Sequence, residues 1–511
     1  MSITTRIIVV FDSKIQRQRS SKSNKLTIAA MVAAIAGSVL VPSPRAEALP
    51  SFARQTGLSC GACHTDFPQL TPLGRKFKLG GYTMGGGRES DQYKKTFGSN
   101  QWVPPLSVMG VASFSQTKTS QDANGTNPSN NYFALNQGSL FYGGAITEEL
   151  GAFVQGTIAD GGNASTPSSV SLDNTDVRYV KKGTLFGKDA IFGITAHNNP
   201  TVQDVWNTVP AWSFPFMSSS FAPSPMAATA IEGAFSGKVL GVGVYTFIND
   251  MFYLEATAYK GFNRRLQSVF GVIDNSVMDR VSPYVRVAAE PHWGNHWLMV
   301  GAFWLSTSVN PQYVDDPNNS AVFSGGNNKF VDLGFDSQYQ YMGKNFVLTL
   351  RGVYIHEKQK LDAFFNNGMS DNPTNTLNSF KAQASYAWNT DALGNKWVFT
   401  GGYFNTWGSS DCGLYNGTVG GCNSPPVDSG GSPVAITNSL TGSPNSDGWI
   451  AEIAWFPYAM SNSPLWPYFN TRIGLHYVWY NKFNGASSNY DGYGRNAKDN
   501  NTLFAYLWFA M

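Results

Sequence analysis

Beyond its first forty-eight residues this chain has no apolar run approaching the ~20 residues a membrane helix needs, which excludes a helical anchor. Charge is sparse too. Only 14% of residues are Asp, Glu, Lys or Arg, and 36 basic against 33 acidic side chains leave a net +3, so there is no basic surface of the kind that binds nucleic acid. The 511 residues hold four cysteines and six histidines, with no second Cys/His pair at zinc spacing. No serine, carboxylate or cysteine constellation points to hydrolysis or group transfer. What is abundant is glycine, with 52 residues, and aromatic side chains, at 14%. High aromatic content with modest overall hydrophobicity is what a two-faced wall produces, since lipid-facing apolar residues alternate with polar ones facing a lumen.

The first residues read as a secretory leader. Arg17, Arg19, Lys22 and Lys25 form a positive region, Leu26 to Val41 an apolar core of roughly sixteen residues, and Ala46-Glu47-Ala48 a small-residue cleavage site. The expected divisions are 1–48 as signal peptide, 49–100 as a short N-terminal segment, and 101–511 as a barrel.

From about residue 105 to the end, period-two segments recur. Val331, Leu333, Phe335, Ser337, Tyr339 and Tyr341 make a mostly apolar face, while Asp332, Gly334, Asp336, Gln338 and Gln340 make a polar one. Phe380, Ala382, Ala384, Tyr386 and Trp388 repeat the pattern, as do Phe469, Ile473, Leu475, Tyr477 and Trp479. Tight turns at 147–149, 248–250, 293–295, 342–345 and 390–396 alternate with long polar loops such as 118–130, 309–328, 359–376, 408–446 and 482–500. Strands are expected near 105–117, 131–146, 150–159, 171–183, 189–197, 228–247, 252–261, 281–290, 297–308, 329–341, 346–358, 377–389, 397–407, 447–458, 467–481 and 501–511. The fold class is therefore all-β: an outer-membrane β-barrel of about sixteen antiparallel strands, with short turns and both termini on the periplasmic side. Leu503, Ala505, Leu507, Phe509 and Met511 give the last strand an apolar alternate row. Cys412 and Cys422, close together in a Gly/Ser/Asn/Pro-rich segment, suit a loop disulfide in an oxidising compartment.

Just behind the cleavage site stands Cys60-Gly61-Ala62-Cys63-His64. In an exported chain this spacing is the attachment signature of one c-type haem: two thiols bond the porphyrin covalently and the adjacent imidazole becomes an axial iron ligand. A disulfide loop or half of a zinc site is the bland alternative. The segment is too short to wall off a haem alone, and Gly80-Gly81 and Gly85-Gly86-Gly87 weaken helix there. A barrel of about sixteen strands offers a lumen wide enough to hold it.

The run Leu49 to Pro68, followed by Leu70-Thr71-Pro72-Leu73-Gly74-Arg75 and Lys78-Leu79-Gly80-Gly81-Tyr82, resembles the N-terminus of the outer-membrane fused monohaem cytochrome–porins. The best-known members of that family are iron oxidases of Fe(II)-oxidising bacteria. Asn199 to Trp206 is a second familiar stretch. The resemblance implies one covalent haem c in a cytochrome segment in or at the lumen. It also implies one-electron transfer from an extracellular donor, Fe(II) or another reductant, to a periplasmic cytochrome or other carrier. The alternative is a diffusion porin with a structural or sensory haem plug, or a conduit for a non-iron donor.

Cys60 and Cys63 are the expected anchors and His64 the proximal ligand, its other ring nitrogen donating to a carbonyl. Met84, in a glycine-flanked loop about twenty residues on, is the candidate distal ligand. His197 and His476 lie on polar strand faces as further candidates, while His292, His296 and His356 sit near turns or strand ends. Arg54 and Arg75 flank the motif as partners for propionates. The connection 198–226, carrying Trp206, Trp212, Phe214 and Phe216, is unlike the polar loops and is expected to fold inward over the haem. Glu255, Arg286, Glu290, Asp332, Asp336, Arg351, Glu452 and Arg472 read as a lumenal wall of mixed sign.

Overall fold

Side chains on a strand point alternately to opposite faces, so a two-faced sequence buries one row and exposes the other. In the strand Asn328–Met342 of the computed structural model, the buried row holds Asp332, Asp336, Gln338 and Gln340, while Leu333 and Phe335 are 43% and 53% exposed. A soluble protein does the reverse. Leu254, Val285, Val287, Val300, Leu350 and Leu475 continue the exposed apolar surface around the molecule, which is the arrangement a hydrocarbon solvent selects. The structure describes residues 49–85, 105–121, 130–159, 169–208, 218–272, 277–311, 326–390, 395–417, 421–422, 424–427, 435–459 and 465–511. The expected leader (1–48) and residues 86–100 of the N-terminal segment lie outside these.

All strands belong to one eighteen-stranded antiparallel sheet. Two of them, Val277–Met278 and His292–Trp293, are two-residue stubs, so eighteen less two leaves sixteen long strands among the described residues. Each pairs with its sequence neighbours, and the first, Leu106–Thr117, also pairs with the last, Thr502–Ala510, from Met109 opposite Ala510 to Thr117 opposite Thr502. That pairing closes the cylinder and removes both edges. Met511 finishes the seam by exchanging backbone hydrogen bonds with Val108 at 2.6 and 2.7 Å.

The expected strand boundaries hold to within three residues everywhere but one. The strand placed at 228–247 begins only at Val239 and runs to Ile248. Residues 228–238 instead continue the inward-folded connection, described at 198–208 and 218–238. The wall itself holds them there. Glu357 accepts the N–H of Ala230 at 2.5 Å, Asp332 accepts that of Ile231 at 2.8 Å, and Glu232 pairs with Lys381. Once its backbone is satisfied by carboxylates projecting inward, this stretch has no use for a neighbouring strand.

One end of the cylinder carries the tight turns, the C-terminus and the N-terminal segment. The other carries the long connections, and described parts of 359–376 and 408–446 pack over an internal apolar cluster that includes Ile231, Phe235, Phe364, Leu414 and Tyr415. The disulfide Cys412–Cys422 forms as expected, inside that loop assembly. Asp411 ties the loops together by accepting from Ser370 Oγ and the Asp371, Asn372 and Leu414 amides at 2.6 to 3.1 Å.

Candidate haem-attachment site

The N-terminal segment is three short helices folded into the short-turn mouth. Pro50–Thr56 starts with proline at its first turn, where no N–H is needed, and stops at Gly57 in the left-handed conformation, whose N–H bonds Ala53 O. Cys60–Cys63 is a single turn. Pro72–Leu79 is capped by Thr71, whose hydroxyl accepts from Gly74 N at 3.1 Å and donates to Ala62 O at 2.6 Å, so one side chain joins the second and third helices. Gly74 lets them touch: a Cβ there would stand 2.3 Å from Cys63 O.

The wall grips this segment at many points. Gly61 N donates to Ala459 O at 3.0 Å, Trp466 Nε1 to Leu58 O at 3.4 Å, and Lys396 Nζ to His64 O at 2.7 Å. Arg472 holds Asp66 Oδ1 at 3.0 Å and Phe67 O at 3.0 Å while also pairing with Glu452. Gln69 Nε2 reaches Ser385 Oγ at 3.0 Å, and Tyr82 donates to Asp176, itself bound by Arg178 at 2.9 Å. Most of these wall partners stand within a few residues of their strands' short-turn ends. The motif therefore sits at the mouth of the bore rather than at its mid-height.

Cys60 and Cys63 are free thiols one helical turn apart and half-buried. Burial pushes the Cys63 thiol up to about 12, with Cys60 adding to the effect. It also lowers the His64 imidazole to about 3, assisted by the Lys396 charge, so the ring is neutral at physiological pH, the form that ligates a metal. The imidazole stacks on Phe67 at a centroid distance of 4.2 Å, and Phe67 leans on Trp508 at 5.0 Å. Nδ1 of His64 is buried and meets no acceptor at hydrogen-bonding geometry, although the backbone of Gln69 is close enough to favour the protonated ring slightly. Two free thiols, a neutral imidazole and an unmatched buried ring nitrogen are a donor set that fits a c-type haem.

The other expected residues divide. Met84 is 37% exposed, and its carbonyl accepts from Gln55 Nε2 at 2.9 Å. His197 is occupied, with Tyr259 OH 2.6 Å from Nε2 and Thr195 3.2 Å from Nδ1. His476 faces Glu452 at 3.4 Å and packs on Phe504. His292 stacks on Trp297, His296 Nδ1 lies 2.7 Å from Tyr339 OH, and His356 Nδ1 lies 2.8 Å from Asn378 Oδ1. Arg75 is buried, pairs with Glu290 and donates to Leu70 O at 2.8 Å and Gln340 at 2.7 Å, which clamps the third helix to the wall. Arg54 donates to Leu106 O at 2.8 Å.

Of the connection expected at 198–226, the described residues 198–208 and 218–226 do fold inward, and the inward course continues to 238. Trp206 is 1% exposed beneath the Arg286 guanidinium, and Lys78 donates to the carbonyls of Val202 and Asp204. Asn207 Nδ2 donates to Pro68 O at 3.1 Å, so this segment rests directly on the N-terminal one. Trp212, Phe214 and Phe216 lie outside the described residues. Of the expected lumenal charges, Glu255, Arg286, Glu290, Asp332, Asp336, Glu452 and Arg472 are buried. Arg286 and Asp336 are buried and paired at 2.6 Å beneath this segment, with Asp204 from the segment at 3.5 Å. Asp66, Phe67 and Lys396 are contacts that sequence reasoning passed over. Asp66-Phe67 directly after the motif was the available signal for the first two, whereas a wall lysine carries none.

No family model matches the chain, and no curated protein does. Among solved structures it is similar to the outer-membrane expressed OmpT of Vibrio cholerae, at 8% identity and TM-score 0.41 over 79% of this chain and 96% of that one. It is similar to the outer membrane channel DcaP of Acinetobacter baumannii, at 11% identity and TM-score 0.40 over 80% and 96%. The anion-selective porin from Comamonas acidovorans gives 11% identity and TM-score 0.39 over 79% and 98%. At such values the likeness is of one barrel to another and does not extend to the residues of the site.

Proposed function

We propose that this chain is an outer-membrane electron conduit. Cys60 and Cys63 would hold one haem c, with His64 as its iron ligand, and the group would supply the one-electron couple between an extracellular donor, Fe(II), and a periplasmic carrier such as a soluble cytochrome. The observation that carries the reading is where the motif sits: Cys60 to His64 are fixed inside the short-turn mouth by Ala459, Trp466 and Lys396 instead of hanging on a tether beneath the barrel. When bound, haem c supplies a one-electron redox couple. The chain's own residues do the rest. Burial keeps His64 neutral, Phe67 packs against its ring, and the half-exposed motif leaves a face for a soluble carrier at the short-turn end, which in this reading faces the periplasm. Residues 198–208 and 218–238 lie between the motif and the long-loop end. Met84, exposed at the same mouth, stays the distal candidate, and Met84→Ala tests it through the visible spectrum and midpoint potential of the haem.

Anaerobic mixing of purified, haem-loaded protein with Fe(II) in a stopped-flow spectrometer is the test. Prompt haem reduction is the expected result. A diffusion porin with a haem plug is the second reading, supported by the cylinder itself. Open-channel conductance in a planar bilayer without haem reduction would establish it and overturn the first.

A further inference from the structure

We infer that the outward wall at the long-loop end binds a phosphorylated glycolipid of the outer leaflet. The inference shares with the proposed function only the assignment of long loops to the outside. Along the strand Phe346–Lys360 the outward row reads Leu348, Leu350, Gly352, Tyr354, His356, Lys358, Lys360. Apolar residues give way to an aromatic, then to cations, in the order in which a membrane's acyl chains give way to its headgroup and phosphate. On the neighbouring strand Lys329 stands directly opposite Lys360, and Lys358 opposite Val331, so Lys358 is diagonal to Lys329. Such positions are about 5 and about 7 Å apart, and like charges placed there destabilise the sheet unless an anion sits between them.

The protein supplies that anion only in part. Lys360 meets Asp362 at 2.8 Å, whereas Lys329 and Lys358, both exposed, meet no carboxylate among the described residues. Asp279, beside them on an adjoining loop, is engaged by Asn327 at 2.6 Å and Arg280 at 3.8 Å. The surface continues sideways through Asn378, which accepts from Tyr354 OH at 2.9 Å, and Tyr354 lies 6.1 Å from the ring of Trp407. Trp407 opens a cleft of about 400 Å³ with Tyr403, Asn405, Asp447, Asn481 and Lys482. Flat rings beside amides and a carboxylate are the chemistry that takes a sugar, and the adjoining lysines take its phosphate.

The test uses the full-length protein in detergent, titrated with bisphosphorylated lipid A, dephosphorylated lipid A and inorganic phosphate, with retention read by native mass spectrometry. Lys329→Gln with Lys358→Gln is expected to weaken bisphosphorylated lipid A by about tenfold, while Lys344→Gln in a short turn leaves it unchanged. Heat-dependent gel mobility confirms that each variant is folded. Equal retention by the double variant, equal affinity for the dephosphorylated lipid, or capture of inorganic phosphate as tightly as of the lipid overturns the proposal. Haem reduction by Fe(II) is independent of this wall, so failure here leaves the electron-transfer reading intact.

Discussion

The two ends of the bore are closed by different chemistry. At the short-turn mouth the closure is ionic and hydrogen-bonded: Arg472 with Asp66, Arg75 with Glu290, Lys76 with Asp250, and Lys396 with His64 O. At the long-loop end an apolar cluster stands at the centre, Leu361, Phe364, Leu414 and Tyr415 packed on Ile231 and Phe235, with the Asp411 hydrogen bonds and the Glu232–Lys381 pair around it. The difference follows from how each closing segment is attached. Long loops are continuous at both ends with the strands they cap, so apolar packing with a few directional contacts seats them. The N-terminal segment precedes the first strand, and directional contacts, together with Phe67 packed on Trp508, fix its height and rotation.

Removing the anchors is the largest way to break this comparison. Cys60→Ala with Cys63→Ala is expected to abolish covalent haem, read as loss of haem staining on a denaturing gel with the barrel still heat-modifiable. Next comes the mouth clamp. Arg472→Met leaves Asp66 and Glu452 buried without their cation, a loss of about 3–5 kcal/mol that proteolysis of the N-terminal segment in folded protein would report. If that segment stays protected, ionic closure is not what seats it. At the other end Phe364→Ala opens a cavity worth about 3–4 kcal/mol, measured as a lower unfolding midpoint with the N-terminal segment still protected. Cys412→Ser with Cys422→Ser frees a short loop and costs about 3 kcal/mol by chain entropy, read the same way. The smallest effect belongs to Lys76→Ala: its pair with Asp250 is exposed, 40% and 48%, and contributes under about 0.5 kcal/mol.

Legibility in the sequence tracked how local the signal was. The strand Asn328–Met342 announces itself because lipid and lumen impose opposite demands on successive residues, and the same alternation located fifteen of the sixteen strands closely. Ala228 to Lys238 misled because Ile231 and Phe235 are apolar for a core inside the barrel, which a periodicity argument cannot tell from lipid. At the site, the Cys60, Cys63 and His64 pattern is readable from spacing alone, and their seat in the mouth is not. Arg75 illustrates the limit: its closeness to the motif suggested a propionate, yet Glu290, far away in sequence, neutralises it. Lys396 and Arg472 come from remote strands and meet the segment only once the cylinder has closed.

The pairing of Leu106–Thr117 with Thr502–Ala510 has a consequence in time. A cylinder sealed between its first and last strands does not exist until the final residues have been delivered. The seat that Lys396, Ala459 and Trp466 build for Cys60 to His64 is therefore among the last parts of the molecule to form, although the segment it receives is among the first to be made.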